Sequence, residues 1–413
     1  MKKSDYGLYE WAIVGGGIHG TYLAYKLREA GVQSYVIIDP NSKLMSNWNR
    51  NTRNCGQTHL RSPDQHNLGE NGESLLGYAI SGRRLHEIQN LSGFERPTLG
   101  LFNDHCRDTI YRNKLEEAVL DATVKSIKPY QEGGHKRRPF VKIEVEDPYE
   151  GGCLFASNVI LAMGQIGGTR WPSWAKSHTD SGFHHVFEKD FRIEDFYRLD
   201  KKIYVVGGGI TAAQLAIKLA ELRQSKFGRY PVIMISRNPL RVQELDARAL
   251  WTRLDYIEHA LWTRDINFRE GLVRKERNEG TIPEHIHAAL MERSRSHALE
   301  LRVDEVTRFR IRDDGQKIMN FKIGEKEEED FVVVLATGFN GPNGNKILKQ
   351  LSRDFNLPLS GLGYPILDDD LEWIGDASYG RFYVSGELSS LTLGPLAGNI
   401  RGAQMSAQLI VDR

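Results

Sequence analysis

Apolar and polar residues follow the same order in two separate blocks of the chain. In each block a short apolar run, typical of a buried parallel strand, leads into a glycine-rich turn. Apolar residues spaced three and four positions apart then predict a helix, and a second apolar run predicts the next strand. The chain therefore contains two strand–turn–helix–strand units, which predict an α/β fold.

The first unit starts with a predicted strand at residues 11–14 and continues into the turn Gly15-x-Gly17-x-x-Gly20. Glycines at this spacing allow a tight turn, close approach of a pyrophosphate and close packing of the helix on the strand. The next predicted strand ends at Asp39, 19 residues after Gly20, where a carboxylate can accept hydrogen bonds from ribose hydroxyls. The acid would repel a 2′-phosphate, so this unit indicates FAD or NAD; a glycine-rich loop of another α/β protein is the alternative.

The second unit, KKIYVVGGGITAAQLAIKLAEL, repeats the pattern with Gly207 and Gly209, and with Ala212 at the third position. Its next predicted strand ends in Ser236 and Arg237 instead of an acidic residue. A hydroxyl and a guanidinium suit a 2′-phosphate, which favours NADPH; the alternative is that Arg237 is an ordinary solvated residue. Two such units in one chain predict two dinucleotides, with FAD in the first and NADPH in the second.

Two more apolar strands end at small-residue turns, in NVILAMGQIG (158–167) and DFVVVLATGFNG (330–341). Such turns let the chain cross close to a cofactor or to the other unit.

The predicted architecture is α/β with two Rossmann-like dinucleotide-binding domains, one inserted into the other. The predicted boundaries are 1–167 for the first part of the FAD-binding domain, 168–328 for the inserted NAD(P)H-binding domain, and 329–413 for the second part of the FAD-binding domain.

The remaining patterns complete this architecture. VKIEVEDP and GGCLFASNVIL predict a hairpin, and the basic segment 133–139 is expected to be a solvated turn. Residues 283–301 are predicted to form a charged helix that covers the NADPH-binding sheet. Residues 382–385 are predicted to form a strand, and a helix is predicted from about Pro395. The N-terminus of that helix would face the reduced flavin, whereas an ordinary C-terminal packing helix is the alternative.

Composition narrows the classes of function. The 413 residues include 55 Lys and Arg against 54 Asp and Glu, which gives no indication of nucleic acid or an anionic membrane as the main partner. No signal peptide or long apolar run is expected, and the three scattered cysteines fit a cytoplasmic protein. The sequence lacks Cys-x-x-Cys and Gly-x-Ser-x-Gly, which argues against a thioredoxin-reductase-type enzyme and an α/β-hydrolase. The 13 histidines show no ligand spacing, so no metal site is predicted.

These motifs together resemble the FAD- and NAD(P)H-dependent flavoprotein monooxygenases, specifically the lysine/ornithine N-hydroxylase-like branch. The resemblance rests on both glycine turns, on Ala-Thr-Gly-Phe at 336–339, on Leu-Gly-Pro-Leu-Ala at 393–397 and on the segment 47–69. It implies that NADPH reduces the flavin and that O₂ then forms a C4a-hydroperoxide. One oxygen atom would pass to a nucleophilic nitrogen or sulfur of a small amine or amino-acid-like substrate.

The resemblance also implies candidate site residues. Gln57, His59 and Arg61 would lie along the isoalloxazine as candidate catalytic residues. The Arg61 guanidinium could bind a substrate carboxylate, as a lysine does in N-hydroxylases; binding of an FAD phosphate or a structural carboxylate is an equal alternative. The Glu387 carboxylate could accept a hydrogen bond from a ribityl hydroxyl. The candidate cofactor-binding residues are Gly15, Gly17, Gly20, Asp39, Leu60, Ser62, Val124, Gly164, Gly207, Gly209, Ala212, Arg237, Thr337, Gly338, Gly386, Glu387, Pro395 and Leu396.

Two departures from this branch keep other functions open. The chain is compact, and the F-x-G-x-x-x-H signature of flavin monooxygenases is replaced by DSGFHHVFEKDF. An NAD(P)H dehydrogenase or ferredoxin-reductase-like flavoprotein that never oxygenates is therefore an alternative, and a flavin-bearing binding protein without turnover is a third. The expected partners are a small-molecule substrate and O₂, without nucleic acid or membrane, and a homo-oligomer stays open.

Overall fold

The computed structural model describes residues 4–130, 140–147, 151–176, 182–224, 230–262, 264–324, 326–328, 330–375 and 379–411. The strands are β1 (Ser4–Val14), β2 (Tyr35–Asp39), β3 (Ile88–Leu91), β4 (Phe94–Pro97), β5 (Val119–Asp121), β6 (Thr123–Tyr130), β7 (Phe140–Glu146), β8 (Gly152–Leu161), β9 (Phe183–His185), β10 (Lys202–Val206), β11 (Val232–Ser236), β12 (Arg241–Val242), β13 (Thr281–Ile282), β14 (Leu299–Val303), β15 (Val306–Ile311), β16 (Lys317–Phe321), β17 (Glu327–Glu328), β18 (Phe331–Leu335) and β19 (Arg381–Val384). The helices are α1 (Ile18–Glu29), α2 (Ser46–Asn54), α3 (Ser74–Ser81), α4 (Leu99–Arg112), α5 (Ile210–Gln224), α6 (Leu254–Ile257), α7 (Ile266–Glu276), α8 (Glu284–Arg295), α9 (Lys346–Asp354), α10 (Ser390–Leu393) and α11 (Ile400–Ile410).

The first sheet has the strand order β5-β2-β1-β8-β7-β6, and β19 also pairs with β8. Strands β2, β1, β8 and β19 run parallel, and every residue of β2 is buried, as its apolar sequence predicts. Strand β7 pairs antiparallel with β8, so the predicted hairpin is confirmed. The predicted solvated turn at 133–139 lies outside the described residues.

The second sheet has the strand order β14-β11-β10-β18-β9, and its strands run parallel. Helices α5 and α8 pack against each other, and α8 buries Ile286 and Leu290. The helix predicted for 283–301 is only partly correct, because α8 ends at Arg295 and β14 follows. His297 adopts a positive φ of 58°, and the Ala298 N–H donates to the Arg293 carbonyl, which ends the helix.

The two crossovers between the sheets run side by side. Thr169 and Phe339 form an isolated bridge, and the Asn340 N–H donates to the Gly168 carbonyl at 2.9 Å. A Cβ atom on Gly167 would lie 2.1 Å from the Asn340 carbonyl oxygen, so this contact requires glycine. The chain thus leaves the first sheet after β8 and returns to it at β19, although the boundaries 1–167, 168–328 and 329–413 stay a prediction.

One part of the second unit packs on the first. The segment 247–273 contains α6 and most of α7, and it contributes Trp251 and Leu261 to the hydrophobic core that also contains Ile13 and Ile37. The Trp262 indole N–H donates to the Thr392 carbonyl at 3.2 Å. This segment of the second unit therefore belongs to the core of the first unit, whereas the second sheet packs in separate clusters that contain Val205 and Ile233.

The C-terminal helix begins later than the sequence predicts. Residues 395–398 form turns, and α11 starts at Ile400 instead of near Pro395 and Leu396. Gly394 has a φ of 76°, and a Cβ atom there would lie 2.5 Å from the Trp251 ring. This contact fixes a turn, so the Leu396 side chain packs into the core before the helix begins.

Candidate active site

The first glycine turn is tightly packed on one side and open on the other. A Cβ atom on Gly15 would lie 2.4 Å from the Ala162 carbonyl oxygen, and one on Gly20 would lie 1.8 Å from the Gly15 carbonyl oxygen. A Cβ atom on Gly17 would meet no atom within 4 Å. No side chain caps α1, so the N–H groups of its first turn can bind an anion.

Asp39 is held directly against this turn. Its buried carboxylate accepts from the Gly16 N–H at 2.7 Å through Oδ2, and from the Asn41 N–H at 2.9 Å through Oδ1. The Ala122 N–H donates to the Asp39 carbonyl at 3.0 Å, which brings buried Val124 near the same sheet end. An open glycine face, uncapped N–H groups and a fixed carboxylate are the features that an adenine dinucleotide requires, so the residues present fit FAD.

His19 lies inside the glycine turn, although it was not predicted as a site residue. Its Nδ1 lies 2.8 Å from the Ser385 hydroxyl, at the end of β19 and next to the candidate residue Gly386. Burial lowers the pKa of His19 to about 4, so the ring is neutral at pH 7. The contact joins the first turn to the C-terminal strand, and the position of a histidine within the turn is the signal that could have identified it.

The second turn has the same packing as the first. A Cβ atom on Gly207 would lie 2.5 Å from the Ala336 carbonyl oxygen, and Ala212 is fully buried at the third position. A Cβ atom on Gly209 would lie 3.4 Å from the Gly280 Cα. The second turn therefore has the close packing of a dinucleotide-binding turn, and it lies against the loop that contains Gly280.

A cleft of about 1350 Å³ starts at the second turn and extends to the first unit. Arg61 and Glu387 of the first unit line it. The predicted site residues that do not form its wall are Gly15, Gly17, Gly20, Asp39, Gln57, His59, Leu60, Ser62, Val124, Ala212, Gly386, Pro395 and Leu396. The candidates from the second turn and the crossovers that line the cleft are Gly164, Gly207, Gly209, Arg237, Thr337 and Gly338.

Cationic side chains collect where β11 ends. Arg237 is exposed at the cleft, and Arg241 and Lys322 line the same cavity. The Ser236 hydroxyl donates to the Asn238 carbonyl at 2.8 Å and can still accept a hydrogen bond. This end of the cleft therefore fits an anionic group such as a 2′-phosphate.

Arg61 binds the chain itself. Its Nη1 lies 2.5 Å from Asp246 Oδ1, and its Nε donates to the Glu244 carbonyl. Its Nη2 is close to the Thr281 hydroxyl, at 2.9 Å, and to the carbonyls of Gln243 and Leu245. The structural-carboxylate alternative thus matches the structure, and little donor capacity is left for a substrate carboxylate. Fully buried Arg96 supports this arrangement, since its Nε donates to the Arg61 carbonyl at 3.0 Å.

The other residues predicted along the isoalloxazine belong to a packed strand-like segment. The Gln57 side-chain amide donates to the His59 carbonyl at 3.1 Å, and His59 forms an isolated bridge with Thr98. The Leu60 N–H donates to the Pro97 carbonyl, and its side chain is buried. Their roles, and that of Ser62, stay predictions.

An ion pair that the sequence analysis missed lies at the first-unit end of the cleft. Arg277 follows α7, and its Nη1 donates to Glu387 Oε2 at 2.6 Å. Burial would lower the pKa of Arg277, but the carboxylates of Glu387, Asp246 and Glu279 outweigh it and raise the pKa. No sequence spacing connects these groups, because Arg277 and Glu387 are 110 residues apart.

The described residues contain no group of three or more His, Cys, Asp or Glu side chains placed to hold a metal ion. Within the same part of the chain, no helix has the length and apolar character needed to cross a membrane.

The solved structures similar to this chain include N-hydroxylating enzymes and, at lower TM-scores, bacillithiol disulfide reductases. The ornithine N-hydroxylase of Kutzneria sp. 744 superposes with a TM-score of 0.77 at 16% identity over 98% of both chains. The ornithine hydroxylase of Pseudomonas aeruginosa gives 0.77 at 19% identity over 98% of both chains. The L-lysine 6-monooxygenase of Pseudomonas syringae gives 0.70 at 17% identity over 97% of this chain and 100% of that one. At these identities the matches show a shared fold.

Sequence comparison identifies the family. A comparison with curated protein sequences finds no significant match. The sequence model of the L-lysine 6-monooxygenase/L-ornithine 5-monooxygenase family matches residues 73–341, which is more than half of the chain. Together with the two dinucleotide turns, this match shows that the chain belongs to that family of FAD- and NADPH-dependent monooxygenases.

Proposed function

We propose that this enzyme hydroxylates the amine nitrogen of a small amine or amino-acid-like substrate. The observation that carries the proposal is the single cleft that joins the second dinucleotide turn to Arg61 and Glu387 of the first unit. A cleft lined by both units would bring the hydride donor and the substrate close to Glu387, where the ribityl chain of the flavin is proposed to lie. The similar Kutzneria enzyme was solved with reduced FAD, NADP⁺ and L-ornithine, which supports this arrangement.

The first unit supplies the proposed FAD-binding residues. Gly17 would face the pyrophosphate, Asp39 the adenine ribose, and Val124 the adenine end of the sheet. Gly386 and Glu387 would lie near the ribityl chain. When bound, FAD supplies electron transfer and oxygen activation, and the protein contributes orientation and electrostatics.

The second unit supplies the proposed NADPH-binding residues. Gly207 and Gly209 would allow the pyrophosphate to approach α5, and Arg237 would bind the 2′-phosphate through charge-assisted hydrogen bonds. Thr337 and Gly338 would close the cleft at the crossover, since the Thr337 hydroxyl donates to the Arg170 carbonyl and fixes this turn. These residues would bind and orient the hydride donor without taking part in proton transfer.

The proposal is tested by following oxygen into product. The yellow holoenzyme is incubated with NADPH, ¹⁸O₂ and a panel of amines and amino acids, and products are analysed by mass spectrometry. We expect a hydroxylamine that carries one ¹⁸O atom, formed only when NADPH and the amine are both present. The Gly17→Val protein, prepared in parallel, is the control that shows whether formation of the hydroxylamine depends on bound FAD.

One outcome would contradict this function. If every amine leaves the rate of NADPH oxidation unchanged and the oxygen appears only as peroxide, the enzyme is a reductase that does not oxygenate.

The proposal also includes a cytoplasmic location and leaves room for a homo-oligomer. Cys55, Cys106 and Cys153 are buried and scattered along the chain, which supports a cytoplasmic location. A homo-oligomer is compatible with this function, and sedimentation analysis of the holoenzyme tests it.

A further inference from the structure

One wall of the cleft is formed by a tight turn in the second part of the first unit. Leu359 and Pro365 form an isolated bridge, the Ser360 N–H donates to the Tyr364 carbonyl at 2.8 Å, and the Tyr364 N–H donates to the Ser360 hydroxyl at 3.1 Å. The Trp373 indole N–H donates to the Pro358 carbonyl at 2.7 Å. The turn that carries Tyr364 is therefore fixed at both ends.

Packing holds this turn in place against neighbouring segments. Gly363 has a φ of 85°, and a Cβ atom there would lie 2.9 Å from the Asn343 Cα. The Leu362 N–H donates to Glu270 of α7 at 3.3 Å. The turn thus contacts the residues after β18 on one side and α7 on the other, so it presents Tyr364 on a rigid support.

Tyr364 lines the cleft together with Arg277 and Glu387. Its side chain is half-buried, and burial raises the pKa of its phenol, with a further contribution from the nearby charge of Glu387. Within the described part of the chain, no hydrogen bond involves its hydroxyl group. A large aromatic ring therefore occupies the cleft wall beside the ion pair, and the backbone bonds that fix its turn do not depend on its side chain.

We propose that Tyr364 is a specificity-determining residue, whose ring limits the size of the amine that can enter the end of the cleft lined by Arg277 and Glu387. This inference rests on the proposed N-hydroxylation. Because the backbone of the turn is fixed, the ring can make room for a larger ligand only by changing its own rotamer, so it limits the space at this end of the cleft. The proposal concerns the substrate and not NADPH, since Arg237, Arg241 and Lys322 supply the cationic end for that cofactor.

The test compares Tyr364→Ala with Tyr364→Phe on straight-chain primary amines of increasing length and on branched analogues. Removing the ring opens space for several methylene groups, and one methylene in an apolar pocket changes kcat/KM by about 10-fold or more. We expect Tyr364→Ala to raise the ratio of kcat/KM for the larger amine over the smaller by at least about 10-fold. Tyr364→Phe keeps the ring and should keep the wild-type ratio.

Two further measurements make the result decisive. The dissociation constant of each amine, taken from the change it causes in the flavin spectrum without NADPH, should shift in the same direction as kcat/KM. Tyr111→Ala, at an exposed tyrosine outside the cleft, is the matched control.

The failures can be told apart. If wild-type enzyme makes no hydroxylamine from any amine, the proposed function fails, and this inference fails with it. If wild-type enzyme is active but Tyr364→Ala leaves the size profile unchanged, or raises only the KM for NADPH, Tyr364 does not select the substrate. Flavin content and thermal midpoint of each variant show whether it has folded.

Discussion

The guanidinium of Arg61 lies 2.5 Å from the carboxylate of Asp246, although 185 residues separate them in the chain. Asp246 also accepts from the Asn399 side-chain amide at 2.9 Å, and its carbonyl accepts from the Asn278 N–H at 2.7 Å. Asp246 therefore connects the segment 47–69 and the start of the C-terminal helix through its carboxylate, and the cleft loop through its backbone carbonyl.

This relationship predicts a strong energetic coupling. Arg61→Gln and Asp246→Asn should each lower the free energy of unfolding by about 2 kcal/mol, because each leaves a partly buried partner unsatisfied. The double variant should cost less than the sum of the two. Urea denaturation of the four proteins measures the coupling. Arg253→Gln, which breaks an exposed pair with Asp255, is the control, and an Arg61→Gln protein as stable as this control would contradict the prediction.

The packing of the first turn predicts different outcomes for two of its glycines. Gly17→Val should fold but lack colour, because the new side chain meets open space in the protein and blocks the face assigned to the pyrophosphate. Gly20→Val should fail to fold, since its Cβ would overlap the Gly15 carbonyl oxygen. Flavin absorbance and circular dichroism distinguish the two. A yellow Gly17→Val protein would show that FAD binds elsewhere.

The cationic end of the cleft predicts a choice of cofactor. Arg237→Ala should raise the KM for NADPH by about 10- to 100-fold, because that change corresponds to the loss of one charge-assisted hydrogen bond. The KM for NADH should change little. Steady-state oxidation of both cofactors measures this. Arg308→Ala is the matched control, because Arg308 is exposed but does not line the cleft. Equal changes in both KM values would remove Arg237 from 2′-phosphate recognition.

The buried histidines predict how stability depends on pH. Burial lowers the pKa of several described histidines from 6.5 to about 4, so the unfolded chain binds more protons than the folded chain between these values. The free energy of unfolding should therefore decrease as the pH falls from about 6.5 to about 4. Above pH 6.5 this contribution to stability should be fully present. The histidines concerned are His19, His66, His105, His185 and His285.

One of these histidines allows the effect to be assigned. His105→Gln removes a single buried ring from α4, so the slope of unfolding free energy against pH should decrease by about one proton in this window. Denaturant titrations at pH steps measure the slope, with His259→Gln at an exposed side chain as the control. An unchanged slope for His105→Gln would show that its protonation does not oppose folding.

Local patterns were sufficient for most of the framework. The apolar runs before Gly15 and Gly207 predicted parallel strands, because strands buried on both faces need no polar alternation. The start of the C-terminal helix α11 was predicted several residues too early. The reason is that Trp251, which is far away in sequence, fills the space beside Gly394. The strand β14 was missed for a similar reason, since pairing with β11 at the sheet edge is a tertiary contact.

The candidate site was predicted less completely than the fold. The glycines and Asp39 could be proposed from the sequence because their proposed roles depend on backbone geometry at fixed spacing. Arg277 and Tyr364 do not belong to a motif of fixed spacing, and only the folded chain brings them to the same cleft. Arg61, predicted to lie along the isoalloxazine, lines the cleft, and its donors are used by a loop that sequence reasoning could not position.

The packing of the segment 247–273 in the core of the first unit has a practical consequence for protein engineering. A chimera that exchanges residues 168–328 for the corresponding part of another flavoprotein would also remove Trp251 and Leu261 from that core. The recipient would keep an intact glycine turn but lose the apolar side chains on which its C-terminal segment rests. Transplanting cofactor preference into this enzyme therefore requires grafts smaller than a domain, confined to the loop that follows β11.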